Sequence, residues 1–125
     1  MNNQTTEGTQ SLLLGEEIYQ SLMAKAKLSP RLRAHHNLHL SLDEPVHRLL
    51  VALSKGTYVQ PHRHSKADRW EVILTLRGTV RLLIFNPTGH VEQVIDLTQN
   101  GSNNGIQIAP GQWHTLLPLT EDAII

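Results

Sequence analysis

Apolar residues follow two rhythms along this chain. Across residues 15–27 they recur every fourth position, at Ile18, Leu22 and Ala26, which puts them on one stripe of an amphipathic α-helix. Glu16 and Glu17 stand early and Lys25 and Lys27 late, the charge order a helix dipole favours, and Ser29-Pro30 supplies the stop. Beyond the helix the apolar runs shorten and turn residues separate them, at 48–53, 57–61, 70–76, 79–85, 91–97, 106–109 and 113–117. Short strands with frequent turns predict an all-β jelly-roll or barrel. Asn86-Pro-Thr-Gly89 reads as a turn, and Asn100-Gly-Ser-Asn-Asn-Gly105 as a loop whose glycines and asparagines tolerate positive φ. The division expected is a disordered tail over 1–11, a helix over 12–30 laid on the outside of the barrel, and the barrel itself over 31–125. A role for the helix as a dimer element is the less favoured reading.

Composition narrows the functional classes. At 125 residues the chain is one domain, so any site sits inside the one core available. Eleven basic residues balance eleven acidic ones with no basic block, which argues against nucleic acid or an anionic membrane as partner. No apolar run approaches the ~20 residues of a membrane span, and the start, Met-Asn-Asn-Gln-Thr-Thr-Glu-Gly, lacks the pattern of a signal peptide, so a cytoplasmic location is expected. There is no cysteine, which leaves His and carboxylate side chains as the ligands for any metal.

Those ligands are concentrated. In Gly56-Thr-Tyr-Val-Gln-Pro-His-Arg-His64 the two histidines of a His-x-His pair look to the same side of a strand, with Arg63 opposite and structural. Glu71 opens Trp70-Glu-Val-Ile-Leu-Thr-Leu76, where Glu71, Ile73 and Thr75 share one face. His114 follows the turn Pro110-Gly111. Taken singly, Glu71 is as readily an exposed partner of Arg69 or Arg77, and His114 a half-buried strand histidine. Together the four arrive at three strand starts, each beside a turn signal, and His62, His64, Glu71 and His114 make a borderline ligand set for zinc, iron, nickel, copper or manganese. Of the eight histidines, His47 and His90 sit near turns and are read as solvated.

The segment from Gly56 to Gly78 resembles the first cupin motif: five residues separate Gly56 from His62, and six separate Glu71 from Gly78. The six-residue gap from His64 to Glu71 is longer than is usual in cupins. Pro110-Gly111-Gln-Trp-His114 is similar to the second motif, with proline and glycine adjacent rather than spaced, and Pro118 stands where an asparagine is common. The amphipathic helix together with Ser29-Pro-Arg-Leu-Arg33, Asn37-Leu-His39, Arg48-Leu-Leu, Pro61-His-Arg-His64, Trp70-Glu71 and Trp113-His114-Thr115 resembles the WbuC-type cupin metalloproteins. The resemblance implies a cupin double-stranded β-helix, a jelly-roll barrel with one amphipathic N-terminal helix. It also implies one divalent transition metal ion, Fe, Mn, Ni or Zn, held by His62, His64, Glu71 and His114, and a neighbourhood of surface-polysaccharide genes. Such proteins continue past a point like Ile125, so a last strand that is shortened or supplied by a neighbour is expected, and with it a homodimer.

The function expected is metal-dependent chemistry on a small molecule, with a sugar or nucleotide-sugar as substrate and isomerisation or epimerisation as the reaction. The alternatives are a non-catalytic metal- or sugar-binding or sensing module, and an iron-dependent dioxygenase. His39 is the one candidate for a catalytic base, and Asn37, Arg48, Tyr58 and Trp113 are candidates for the substrate pocket. Each has a plainer reading: backbone capping for Asn37 and His39, a surface ion pair for Arg48, core packing for Tyr58 and Trp113.

Overall fold

The structure, a computed structural model, describes residues 11–125. Of the expected tail, all but the exposed Ser11 therefore lies outside the described residues. One helix, α1 (Glu16–Leu28), precedes eight strands: β1 (Arg33–Asn37), β2 (Leu49–Ser54), β3 (Glu71–Leu74), β4 (Thr79–Phe85), β5 (Val91–Thr98), β6 (Gly105–Ile108), β7 (Trp113–Pro118) and β8 (Asp122–Ile124). The strands form three antiparallel sheets, in the orders β1-β2-β8, β3-β6 and β5-β4-β7. The chain is mostly β with one helix, and its sheets do not close into a continuous barrel. Among the described residues no helix is long and apolar enough to cross a membrane.

Alternation decides what each strand buries. In β4, Val80, Leu82 and Ile84 point inward, and they meet Leu53, Ile73, Leu97, Ile108, Leu116 and Ala123 in the main core. The β1-β2-β8 sheet is covered on both faces. Leu53 and Ala123 serve the main core, whereas Leu50, Ala52 and Ile124 turn outward under Tyr19, Leu22, Met23 and Ala26 of α1. The helix thus lies on the outside of a sheet, as its apolar stripe required. Its first turn is tied down by an ion pair from Glu16 to Arg77, whose guanidinium also lies over the Tyr19 ring.

Three elements differ from the sequence expectation. Residues 57–61 join no sheet, and the ladder begins only at an isolated bridge between His62 and His114. Conversely β1, reading Arg-Ala-His-His-Asn, has no apolar alternation and is a strand because β2 pairs with it from Arg33↔Leu53 to Asn37↔Leu49. The short β8 likewise exists through its pairing with β2. The turn ahead of β4 needs a glycine: Gly78 has φ 73, and a Cβ there would stand 2.5 Å from both the Asp122 carbonyl oxygen and Thr120 Oγ1.

Candidate metal centre

The site is assembled where β7 meets the segment that precedes β3. His62 and His114 exchange backbone hydrogen bonds, with the His62 N–H donating to the His114 carbonyl at 3.0 Å and the reverse bond at 2.9 Å. On its other side His114 is paired with Ile84 of β4, so its backbone is held from both edges. Two residues beyond His62, the His64 carbonyl accepts the Gly111 N–H at 2.7 Å, and Gly111 turns with φ 78. Glu71 enters from the other sheet as the first residue of β3, paired with Ile108 of β6. Alternation within β3 turns Glu71 to the same side as buried Ile73.

These placements bring together all four ligands expected from the sequence. One donor atom from each of His62, His64, Glu71 and His114 lies within 4.8 Å of every other. Glu71 Oε2 is the hub, 3.0 Å from His64 Nε2 and 3.1 Å from His114 Nε2. Ligands about 2.0–2.2 Å from a single ion stand no more than about 4.4 Å apart, so the set needs only a slight contraction to close on one.

Backbone carbonyls orient two of the rings. His62 Nδ1–H donates to the Gln60 carbonyl at 2.9 Å and His114 Nδ1–H donates to the Gln112 carbonyl at 2.9 Å, the same two-residue step in each case. A carbonyl oxygen only accepts, so Nδ1 carries the proton and, in the neutral ring, Nε2 keeps its lone pair for the cluster. His114 is 1 % exposed, and its Nε2 has no hydrogen-bond partner, because the approach to Glu71 falls outside hydrogen-bonding geometry. A buried lone pair without a partner is costly, and a metal ion is a partner that satisfies it. The donor set fits a transition metal on this observation.

The electrostatics of the cluster are those of mutual compensation. Burial pushes the Glu71 carboxyl up, but polar contact with His114 and the positive charge of His114 and His64 outweigh it and leave its pKa below the ordinary value. Burial pulls His114 down, yet the contact with Glu71, the Gln112 carbonyl and the Glu71 charge leave it raised. His64 remains 41 % exposed, so the cluster is open to solvent on that side.

A cavity of about 520 Å³ borders His62, lined by Gln60, Pro61, Arg63, Ser65 and Trp113. A second of about 370 Å³ shares Pro61 and Trp113 and runs on to Phe85 and the turn at Asn86. Trp113 is therefore a cavity wall, with the Arg63 guanidinium 5.0 Å from its ring centre. Arg63, expected on the face opposite the ligand pair, lines the same cavity as His62.

The other sequence candidates have local partners. His39 is buried, its Nδ1 lies 3.0 Å from the Arg48 carbonyl oxygen and 3.1 Å from the Arg48 nitrogen, and its ring stacks on His47 at 4.4 Å between centroids. It is not one of the four gathered residues. Arg48 pairs with Glu44 at 3.4 Å, and Asn37 is an exposed end of β1 opposite Leu49. Tyr58 is 74 % exposed and lines neither cavity, while its carbonyl accepts the Arg33 guanidinium. The residues missed by sequence reasoning are Gln60 and Gln112, which act through main-chain carbonyls; their signal was position, two residues ahead of a ligand, and not side-chain type.

No curated protein matches the sequence. Among solved structures, the chain is similar to a conserved protein of unknown function from Streptococcus pyogenes, with a TM-score of 0.59 at 13% identity over 92% of this chain and 82% of that one. That likeness is one of fold. It also aligns with TehB from Haemophilus influenzae at a TM-score of 0.47 and 16% identity, over 58% of this chain and 26% of that one, so it spans about a quarter of that protein's length. A family profile matches residues 14–97, a stretch that takes in His62, His64 and Glu71, and by that match the chain belongs to the family described as Domain of unknown function (DUF6016).

Proposed function

We propose that this protein is a cupin-type metalloprotein, an open jelly-roll that holds one divalent transition metal ion at His62, His64, Glu71 and His114 and acts on a small sugar-like molecule. The observation that carries the reading is the buried Nε2 of His114, unpartnered and gathered with three other donor atoms within 4.8 Å. A bound ion supplies Lewis acidity toward a carbonyl or enediol oxygen. The chain's own residues do the rest. The Gln60 and Gln112 carbonyls hold His62 and His114 in the tautomer that presents Nε2. Glu71 carries the one negative charge of the set and draws His64 and His114 toward it. Exposed His64 leaves a side from which a small molecule enters, and the cavity beside His62 offers Trp113 as a flat apolar wall with Gln60 and Ser65 as polar groups, a lining suited to a sugar ring.

The reaction type proposed is isomerisation or epimerisation, and its test is hydrogen exchange at carbon. Metal-loaded protein is incubated in deuterated water with a panel of aldoses, ketoses and their nucleotide-linked forms, and deuterium at the carbon beside the carbonyl is followed by NMR. Incorporation that disappears in His62→Ala supports the proposal. Substrate-dependent oxygen uptake in the iron-loaded protein, with no carbon exchange, would move the reading to a dioxygenase. Sugar binding with neither signal would leave a sensing module.

A further inference from the structure

Arg63, expected from the sequence to be structural, is the one residue with a fixed charge in the lining of either cavity beside the metal centre. No carboxylate lines the one or the other. Elsewhere the arginines are spent on the chain itself. Arg33, Arg48, Arg77 and Arg81 give their guanidinium groups to the Tyr58 carbonyl, Glu44, Glu16 and Asp96. Arg63 is in no ion pair among the described residues, and neither are Lys66, Asp68 and Arg69 in the loop that follows. With Arg63, Lys66 and Arg69 against Asp68, residues 61–70 are net positive in a chain whose charges cancel.

What Arg63 has in place of an acid is an aromatic ring. Its guanidinium lies 5.0 Å from the centre of Trp113, and Trp113 is set by its pairing with Phe85 of β4. Stacking uses the flat face of a guanidinium and leaves its in-plane N–H groups for an acceptor. A guanidinium held in this way loses less freedom on binding than one on a mobile surface side chain, so it grips an oxyanion more firmly than an exposed ion pair does. The Ser65 hydroxyl and the Gln60 amide add neutral donors to the same cavity. At about 520 Å³ it has room for a sugar ring as well as an acidic group. The second cavity continues past Trp113 to Phe85, Asn86, Pro87 and Thr88 and offers no charge to an anion.

We infer, on the reading that a sugar-like molecule occupies the cavity beside His62, that Arg63 sets its specificity by selecting an acidic sugar, one that carries a phosphate or a carboxylate. The test is an NMR titration of the isotope-labelled full chain, zinc-loaded and metal-free, with glucose, glucose phosphate and glucuronate, followed at Arg63 Nε and Trp113 Nε1. The expected result is that an acidic sugar binds at least about tenfold more tightly than glucose in both forms and moves both signals. The acid that does so names the group as phosphate or carboxylate. Arg63→Gln is expected to cut the preference to less than about twofold, and Arg63→Lys, which keeps the charge without the fork, to leave part of it. Unmoved β4 amides report an intact fold in each variant, and the wild-type comparison decides alone if a variant does not fold. Equal binding of all three sugars, acidic sugars that leave Arg63 Nε unmoved, or a preference that survives Arg63→Gln overturns the inference. Failure of the metal centre reads differently: a protein that takes up no zinc yet prefers the acidic sugar through Arg63 loses the metal and keeps the anion site. Zinc uptake with no such preference removes the anion site alone.

Discussion

Two pairs of histidines in this molecule are equally close, and only one of them is gathered with a carboxylate into a cluster of metal-type donors. His62 and His114 lie 4.4 Å apart between ring centroids at an angle of 57°, and His39 and His47 lie 4.4 Å apart at 14°. In the first pair each Nδ1–H is given to a backbone carbonyl two residues back, so both Nε2 atoms remain for the cluster around Glu71. In the second, His39 Nδ1 sits against both the carbonyl and the N–H of Arg48, and His47 Nε2–H donates to the Leu42 carbonyl at 2.9 Å. Proximity of imidazoles therefore says little about metal binding. What separates the pairs is whether a further histidine and a carboxylate complete the set around the nitrogens left free.

The largest effect follows from cutting into the first pair. His114→Ala removes the most buried of the four candidate ligands, and zinc affinity measured by competition with a chromophoric chelator is expected to fall by more than about a hundredfold, beyond what loss of an outer partner produces. An unchanged affinity would show that the cluster does not bind as drawn.

Acidity sharpens the same contrast at intermediate scale. In the metal-free protein the lowered pKa of Glu71 makes its contribution to stability present above its ordinary value of 4.5 and lost as pH falls through the lower folded value. The raised pKa of His114 makes its contribution complete below 6.5 and lost as pH rises through the higher folded value. The apo cluster is thus most stabilising between those two values, where Glu71 is ionised and His114 protonated. Metal binding needs neutral imidazoles, so affinity is expected to fall about tenfold or more per pH unit below about pH 6. The thermal shift on adding zinc should accordingly be larger near about pH 8 than near about pH 5.5. A shift of equal size at both would contradict a three-histidine centre.

The smallest effect belongs to the second pair. His39→Ala removes the side-chain hydrogen bond to the Arg48 backbone and a ring stacked on His47, with an expected cost of about 1–2 kcal/mol by urea denaturation and no change in metal affinity. A loss of affinity comparable with that of His114→Ala would instead bring His39 into the centre.

Much of this was legible in the sequence because it depended on period and spacing. Alternation gave β4 at its observed ends, the fourfold spacing over 15–27 matched α1 to within a residue although the helix is shorter than the 12–30 expected, and the His-x-His pair, Glu71 and His114 were marked by adjacent turns. What was not legible depended on neighbours. Arg33–Asn37 has no strand pattern of its own, residues 57–61 have one but find no sheet, and the division of labour between the histidine pairs is set by carbonyl groups that no side-chain pattern records. The exposed state of Tyr58 and the Glu44 partner of Arg48 are likewise products of tertiary placement.

The most direct test of the central claim is metal content by elemental analysis of protein purified without chelators, with wild type, His62→Ala and His39→Ala measured side by side. Near-stoichiometric iron, manganese, nickel or zinc in the wild type and in His39→Ala, and loss of it in His62→Ala, is the expected result. Wild-type protein that carries no such metal and takes none up on titration would contradict it.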